Sequence, residues 1–304
     1  MRLRIAEITV LSPGIRKFTL EPLAGLLPAA GAGAHLVFDI PGATRVHKNA
    51  YSLIGGPDSR TQYEIIVRRV EPSRGGSAWL HEHARIGDIL EAKTPQNLFP
   101  LAHLAKKHLL LSAGIGITPF LAFARVMRTP FEWHHCSRAE DSAAFAALLP
   151  PGPQVTLHTS RNTLNLAAVL GTQPLGTHLY VCGPELFNET VQTMARALGW
   201  PESKIHTESF ASAAGGAPFI VHLARSGQRL EVAADQTLLE AIEAAGIAAP
   251  YLCRGGACGA CELPLLQGTP EHRDHVLSPE QRAANKSLMV CVSRARTPDL
   301  VLDF

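Results

Sequence analysis

Hydrophobic and polar positions along the chain fall into three rhythms. Over the first hundred residues they alternate at short range: 2–12 (RLRIAEITVLS), 17–23 (KFTLEPL), 34–40 (AHLVFDI), 63–71 (YEIIVRRVE) and 88–94 (DILEAKT) are short alternating or β-branched runs. Gly, Pro, Asn and Asp punctuate the gaps between them. A period near two predicts strands, and the punctuation predicts tight connections, so residues 1–102 are read as an antiparallel barrel or sandwich.

From about residue 103 the rhythm becomes strand, helix, strand. An apolar strand at 108–114 (HLLLSAG) leads into a helix at 119–127 (PFLAFARVM). There follow 131–137 (FEWHHCS), a helical 139–149 (AEDSAAFAALL), 153–160 (PQVTLHTS), 177–183 (THLYVCG) and a helix at 185–199 (ELFNETVQTMARALG). Such alternation predicts an α/β doubly wound parallel sheet over 103–212. The small, polar-poor stretch 211–218 (ASAAGGAP) reads as a flexible linker, and a third compact unit occupies 213–304.

Composition narrows the function. The chain has 304 residues, 46% of them apolar, which is enough for a sizeable core and excludes intrinsic disorder. Lys and Arg number 28 against 26 Asp and Glu, a formal charge of +2, so there is no electrostatic footprint for nucleic acid and no basic face for a membrane. The opening MRLRIAEITV has no continuous apolar run of the secretory kind. The most apolar stretch, 109–127, is broken by Gly114, Gly116 and Pro119, where a membrane span needs roughly 20 largely uninterrupted apolar residues. A cytoplasmic protein with reduced thiols is expected.

The six cysteines carry the strongest signal. Cys253-x4-Cys258-x2-Cys261 is followed, after 29 intervening residues, by Cys291. This is the spacing of plant-type [2Fe–2S] ligands. Three thiolates must converge from one tight loop, which Gly255, Gly256 and Gly259 permit while leaving N–H groups free to point at sulfur. A structural zinc site is the alternative, but it ordinarily uses paired knuckles and only one C-x2-C is present. No histidine sits in the ligand loop, which argues against a Rieske centre. Leu252 offers no hydroxyl beside Cys253, so backbone N–H groups are the expected donors. A one-electron cluster cannot take hydride from a nicotinamide, and flavin is the usual cofactor that divides the electron pair.

Two further segments have the chemistry of anion binding. Gly114-Ile115-Gly116-Ile117-Thr118-Pro119 follows an apolar strand and opens a helix, with a cap-capable Thr118 and a Pro suited to the first turn, so that N–H groups face a diphosphate. Arg74-Gly75-Gly76-Ser77 precedes a possible helix at 78–84 and offers free N–H groups and a hydroxyl; a simple hairpin turn is the alternative.

With these residues the chain resembles the phthalate dioxygenase reductase family of ferredoxin-reductase-like iron–sulfur flavoproteins, over essentially its whole length and in one order. The family's C-x-x-G-x-C-G-x-C is met by Cys253, Gly256, Cys258, Gly259 and Cys261. The resemblance implies an FMN-binding barrel at 1–102, a nucleotide-binding α/β domain at 103–212 and a β-grasp plant-type ferredoxin domain at 213–304. The family's R-x-Y-S-L appears as Asn49-Ala50-Tyr51-Ser52-Leu53. It implies that Tyr51 packs on the isoalloxazine ring and Ser52 bonds near N5, the hydride acceptor. Asn49 departs from the arginine that grips the flavin phosphate, with Arg45 or Lys48 as candidates to compensate. Gly75, Gly76 and Ser77 are implied for the phosphate, and Val67 and Arg68 for the ring edge. Gly114, Gly116, Thr118, Pro119 and the loop Cys182-Gly183-Pro184 are implied for the pyridine nucleotide. Phe210, in Glu208-Ser209-Phe210, is the aromatic residue that lies against flavin in the family.

Ser137 and Arg138 sit where the family reads the adenosine ribose. Glu140 and Asp141 would repel a 2′-phosphate there and no second arginine follows, so NADH is favoured. The histidine groups His81-Glu82-His83 and His134-His135 lack metal-site spacing and are read as surface or strand-edge residues. The resulting expectation is a monomeric NADH-dependent reductase carrying FMN and a [2Fe–2S] cluster, which passes single electrons to a terminal oxygenase. The resemblance implies a Rieske-type partner, with a haem monooxygenase as the alternative. A non-enzymatic electron carrier with a decayed flavin site is the competing class.

Overall fold

The computed structural model describes residues 1–42, 46–56, 58–71, 75–160, 163–210 and 215–304. They form two compact units, Met1–Ser209 and Phe210–Phe304. The first opens with β1 (Arg2–Ser12), β2 (Ile15–Pro22), β3 (Ala34–Ile40), β4 (His47–Ser52), β5 (Tyr63–Arg68), helix α1 (Gly76–Glu82), β6 (Ile89–Ala92) and β7 (Gln96–Asn97). Their antiparallel order is β4–β3–β6–β1–β2–β5, with β7 also on β3. The two end strands meet: Leu53 bridges Ile65, and Ile54 N–H donates to Glu64 O at 3.0 Å. Closure removes the sheet's free edges and decides for the barrel over the sandwich. Alternate residues point inward, so Leu3, Ile5, Phe18, Leu20, Leu36, Phe38, Ile65 and Val67 fill one core.

The same unit continues with β8 (Lys107–Ala113), α2 (Thr118–Val126), β9 (Phe131–Cys136), α3 (Ser142–Ala146), β10 (Val155–His158), α4 (Leu166–Gly171), β11 (Thr177–Gly183), α5 (Glu185–Ala197) and β12 (Ile205–Ser209). The strands are all parallel in the order β10–β9–β8–β11–β12. After β8 the chain adds β9 and β10 on one side, then returns to the other for β11. The strand order therefore reverses between β8 and β11, which places a crevice at their carboxyl ends. The helix expected over 139–149 is shorter: a 3-10 turn, Ala139–Asp141, leads into the five-residue α3.

The histidines correct the sequence reading. His81, on α1, is buried and its Nε2 lies 3.0 Å from Val67 O, while only its neighbour His83 is exposed. His134 and His135 are buried too, because β9 is an inner strand flanked by β8 and β10. His135 meets Ser112 Oγ at 2.8 Å, and burial holds its pKa down to about 3.

The second unit holds β13 (Phe219–Leu223), β14 (Gln228–Val232), α6 (Leu238–Ala244), β15 (Glu262–Gln267), β16 (Pro270–Glu271), α7 (Pro279–Ala284), β17 (Ser287–Met289), β18 (Arg294–Ala295) and β19 (Asp299–Leu302). Its main sheet runs β14–β13–β19–β15–β17, with β13 parallel to β19 and the other pairs antiparallel. α6 starts on a Thr237/Glu240 capping box and buries Leu238, Leu239 and Ile242 against Val221, Leu288 and Leu300. Of the expected linker, residues 211–214 lie outside the described residues. The rest is tied down: Gly216 N–H donates to Ala234 O at 3.0 Å and Arg294 Nη2 to Ala217 O at 2.9 Å. A Cβ on Gly216 would stand 2.7 Å from Arg294 Nε, so smallness at this position serves packing. Among the described residues no helix is long and apolar enough to cross a membrane.

Candidate functional site

The crevice gathers residues that are far apart in sequence. Strand register aligns Ala113 of β8 with Cys136 of β9, and Ser112 with Cys182 of β11, so the segments after these strands emerge at one edge. Gly114 takes a left-handed φ of 55° and begins a 3-10 turn, Gly114–Ile117, that runs into α2. A Cβ on Gly116 would overlap the Cys182 carbonyl oxygen, so the Gly114–Pro119 turn rests directly on Cys182-Gly183-Pro184. Thr118 does not cap the helix as expected. The 3-10 turn already occupies that place, and the Thr118 hydroxyl donates back to Ile115 O at 3.1 Å. Pro119 sits in the first helical turn. Ser137 follows β9 at the same edge, buried, with an unpartnered Oγ.

The charges expected around the adenosine ribose are arranged differently. Arg138 and Glu140 are exposed and pair with each other at 3.4 Å. Asp141 is withdrawn from solvent, accepting from Ser12 Oγ at 3.0 Å and lying 3.1 Å from Arg68 Nη1. The electrostatic case against a 2′-phosphate therefore rests on Glu140.

At the barrel, Ser52 is buried and its Oγ has no hydrogen-bond partner, while β3 places His35 directly across from it with an unpartnered Nε2. Burial lowers the His35 pKa, so a neutral imidazole flanks Ser52. Sequence reading missed this neighbour because it arises from strand register alone. Tyr51 is half-buried, 6.0 Å from Phe38 between ring centres, and its hydroxyl accepts from Asn49 Nδ2 at 3.3 Å. Leu53 closes the barrel. Gly75 adopts φ 120° against the His47 ring, and a Cβ on Gly76 would stand 2.5 Å from Asn49 Oδ1. Asn49 therefore faces the Gly75-Gly76-Ser77 segment, as the family's arginine would, but brings an amide in place of a cation. Arg45 and Arg74 lie outside the described residues. An orphaned Ser52 hydroxyl at the end of β4, and a glycine cradle against His47 and Asn49 of the same strand, fit a flavin with a phosphate tail.

Cys182 is fully buried, and burial followed by the nearby Glu208 pushes its thiol well above the usual range, so it stays neutral. Glu208, which pairs in register with Cys182, has a buried and unpartnered Oε2, and burial raises its pKa to about 8. That raised carboxyl is a second feature sequence reading missed, since only folding strips its solvent. Phe210 begins the second unit and is 39% exposed.

In the second unit the four thiols fall into two hydrogen-bonded pairs, Cys253 with Cys258 and Cys261 with Cys291. Cys261 and Cys291 are buried and the other two half-buried. Hydrogen bonding from Cys253 leads the causes that bring Cys258 down to about 5. Gly255 and Ala257 N–H groups donate to Cys253 Sγ at 3.3 and 3.4 Å, supplying the expected backbone donors. Arg254 holds a left-handed φ of 55°, kept there by its ion pair with Glu243 and by stacking 3.9 Å over the Tyr251 ring. Gly256 packs its Cα against Val292 and Asp274, where a Cβ would stand 2.8 Å from Val292 Cγ2. Among the described residues no three His, Cys, Asp or Glu side chains gather tightly enough to hold a single ion. Two thiol pairs match a two-iron cluster, which takes two ligands per iron.

Comparison with known proteins adds to this geometry. Residues 221–296 match the 2Fe-2S iron-sulfur cluster binding domain, and residues 90–205 match the N-terminal domain of dimethylamine monooxygenase subunit DmmA-like proteins. The chain is 47% identical over 306 residues to the heme-dependent oxidative N-demethylase beta subunit of Ectopseudomonas mendocina (strain ymp), covering 99% of this chain and 97% of that one. It is 40% identical over 311 residues to the carnitine monooxygenase reductase subunit of Escherichia coli (strain K12), with the same coverage. The solved structure of phthalate dioxygenase reductase, described as modular for electron transfer from pyridine nucleotides to [2Fe-2S], superposes with a TM-score of 0.86 at 34% identity, covering 100% of this chain and 98% of that one.

Proposed function

The chain belongs to the phthalate dioxygenase reductase family of oxygenase reductase subunits, and on that premise we propose that it oxidises NADH and delivers electrons singly to a separate terminal oxygenase. The observation that carries the reading is that one chain joins a nucleotide crevice and the Ser52 barrel site to a loop of two thiol pairs. A two-electron donor and a one-electron centre need a flavin between them.

The assignments use three domains, 1–102, 103–212 and 213–304. Residues 1–102 hold FMN, with Gly75, Gly76 and Ser77 at its phosphate, Tyr51 against its ring, Val67 and Arg68 at its edge and the Ser52 hydroxyl at its reactive nitrogen. Residues 103–212 hold NADH through Gly114, Gly116, Thr118, Pro119, Cys182, Gly183 and Pro184, with Ser137 and Arg138 at the ribose. Residues 213–304 hold the cluster through Cys253, Cys258, Cys261 and Cys291. A flavin held there would supply the chemistry of taking up hydride and giving up electrons singly, and a cluster held by the four cysteines would supply one-electron transfer. Around them the chain contributes orientation, backbone donors to sulfur and a buried, neutral Cys182 that closes the back of the nucleotide crevice. The half-buried pair Cys253/Cys258 forms the outward side of the ligand loop.

Family resemblance makes the partner a Rieske-type oxygenase. The name of the 47% identical relative favours a second reading, in which the partner is haem-dependent. An anaerobic absorbance titration of the purified protein with NADH tests the core of the proposal. Overlapping flavin and iron–sulfur bands that bleach on addition support it, and iron–sulfur absorbance unchanged by NADH overturns it. Adding oxidised oxygenase of each class to the reduced protein then identifies which one is reduced.

A further inference from the structure

Gly256 lies midway along the cysteine loop, buried and with a left-handed φ of 72°. Its N–H donates toward the Cys291 sulfur, the thiol that arrives from outside the loop. Its carbonyl oxygen accepts from His275 N–H at 2.9 Å, and the position a Cβ would take stands 3.2 Å from Asp274 Cα. The same position on Gly259 is 3.4 Å from Val276 Cγ1. Residues 274–277 therefore form a wall laid along the glycines of the loop, although the wall begins 13 residues after Cys261 and contributes no cysteine.

One carboxylate gives this wall its shape. The Asp274 side chain is fully buried. Its Oδ2 accepts from Val276 N–H at 3.1 Å and from Leu277 N–H at 2.8 Å, which folds the segment back on itself. Arg282 of α7 donates to the Asp274 carbonyl oxygen, and Leu277 enters the core of the unit. A carboxylate this deeply buried is costly unless its lone pairs are used. Here they are used on the two N–H groups that aim Val276 and seat Leu277. The loop glycines answer the wall: a side chain on Gly256 would meet Asp274 on one side and, at 2.8 Å, Val292 Cγ2 on the other.

We propose that Asp274 is a positioning residue for the one-electron centre. By fixing residues 274–277 it holds the Gly256 N–H on Cys291 and keeps water from the Gly256–Gly259 stretch. This rests on the reading of the four cysteines as cluster ligands. Hydrogen bonds to the sulfurs and exposure to solvent are two of the quantities that set an iron–sulfur potential, and the wall governs both.

The test uses the full chain purified with its cluster. Two quantities are read: the midpoint potential of the iron–sulfur absorbance, and the rate of iron loss to excess bathophenanthroline disulfonate. Asp274→Asn and Asp274→Ala remove the same charge, but only Asn keeps an oxygen to accept from Val276 and Leu277. Relative to Asp274→Asn, Asp274→Ala should take up the electron about threefold less readily or worse, a potential about 28 mV more negative. It should also lose iron about tenfold faster, as two buried N–H groups are left without their acceptor. A smaller difference in potential, or one of opposite sign, overturns the proposal and leaves Asp274 an anchor of the fold alone. Val276→Ala trims only the outer lip of the wall, where the side chain is 40% exposed. It should lose iron more than about twofold faster than wild type, with a melting temperature within about 2 °C. If Asp274→Ala fails to fold, Val276→Ala decides, and iron loss within about twofold of wild type overturns the proposal. Wild-type protein with no iron–sulfur absorbance would instead remove the cluster reading itself.

Discussion

Gly116 lies so close to Cys182 that an added Cβ would overlap the cysteine's carbonyl oxygen and stand 2.8 Å from Gly183 N. Two segments about 66 residues apart are thereby pressed into one surface at the β8–β11 switch point. Gly116→Ala must push the turn off the Cys182 loop. Steady-state kinetics should show KM for NADH raised by about tenfold or more, with flavin and cluster absorbance retained because Gly116 belongs neither to the segments assigned to flavin nor to the cysteine loop.

Asn49 faces Gly76 with an amide where the family pattern has a guanidinium. Replacing it by arginine restores a bidentate cation at the phosphate-binding segment. Asn49→Arg should tighten FMN binding by about tenfold and leave riboflavin, which lacks the phosphate, within about twofold. Fluorescence titration of flavin-stripped protein reads both constants.

Cys258, proposed above as a cluster ligand, has its thiol brought down to about 5, with its neighbour Cys253 the leading cause. Cys258→Ser removes a soft thiolate from the loop and should abolish the iron–sulfur absorbance and electron delivery to an oxygenase. NADH-driven bleaching of the flavin should persist at near wild-type rate, since the residues proposed for flavin and nucleotide up to Pro184 belong to the other unit. Loss of both activities together would contradict the division of labour.

Glu208 has its pKa raised by burial to about 8, from an ordinary 4.5. The folded protein therefore holds that proton more tightly than the unfolded chain does. Stability contributed this way is complete below the unfolded pKa of 4.5 and declines until the folded value of about 8 is passed. Glu208→Gln should remove the decline. Melting temperatures of variant and wild type should differ little near about pH 4 and diverge by several degrees, variant higher, by about pH 8.

The sequence by itself determined the elements and the chemistry carried by local spacing. Alternating runs in 2–68 became barrel strands, strand–helix alternation after 103 became a parallel sheet, and the Cys253-to-Cys261 loop needed only short-range geometry to be read. Thiols five and three residues apart must converge if they ligate one cluster, and glycines between them say how.

Tertiary structure decided everything that depends on what lies opposite. Closure of the barrel is made by Leu53 meeting Ile65, a contact no periodicity encodes. His134 and His135 read as strand-edge residues until strand order placed β9 inside the sheet. Asp141 reads as a free charge beside a ribose, yet it is buried against Ser12 and Arg68, residues 129 and 73 positions away. Burial and long-range pairing set the energy of an ionisable group, and neither is a property of its neighbours in the chain.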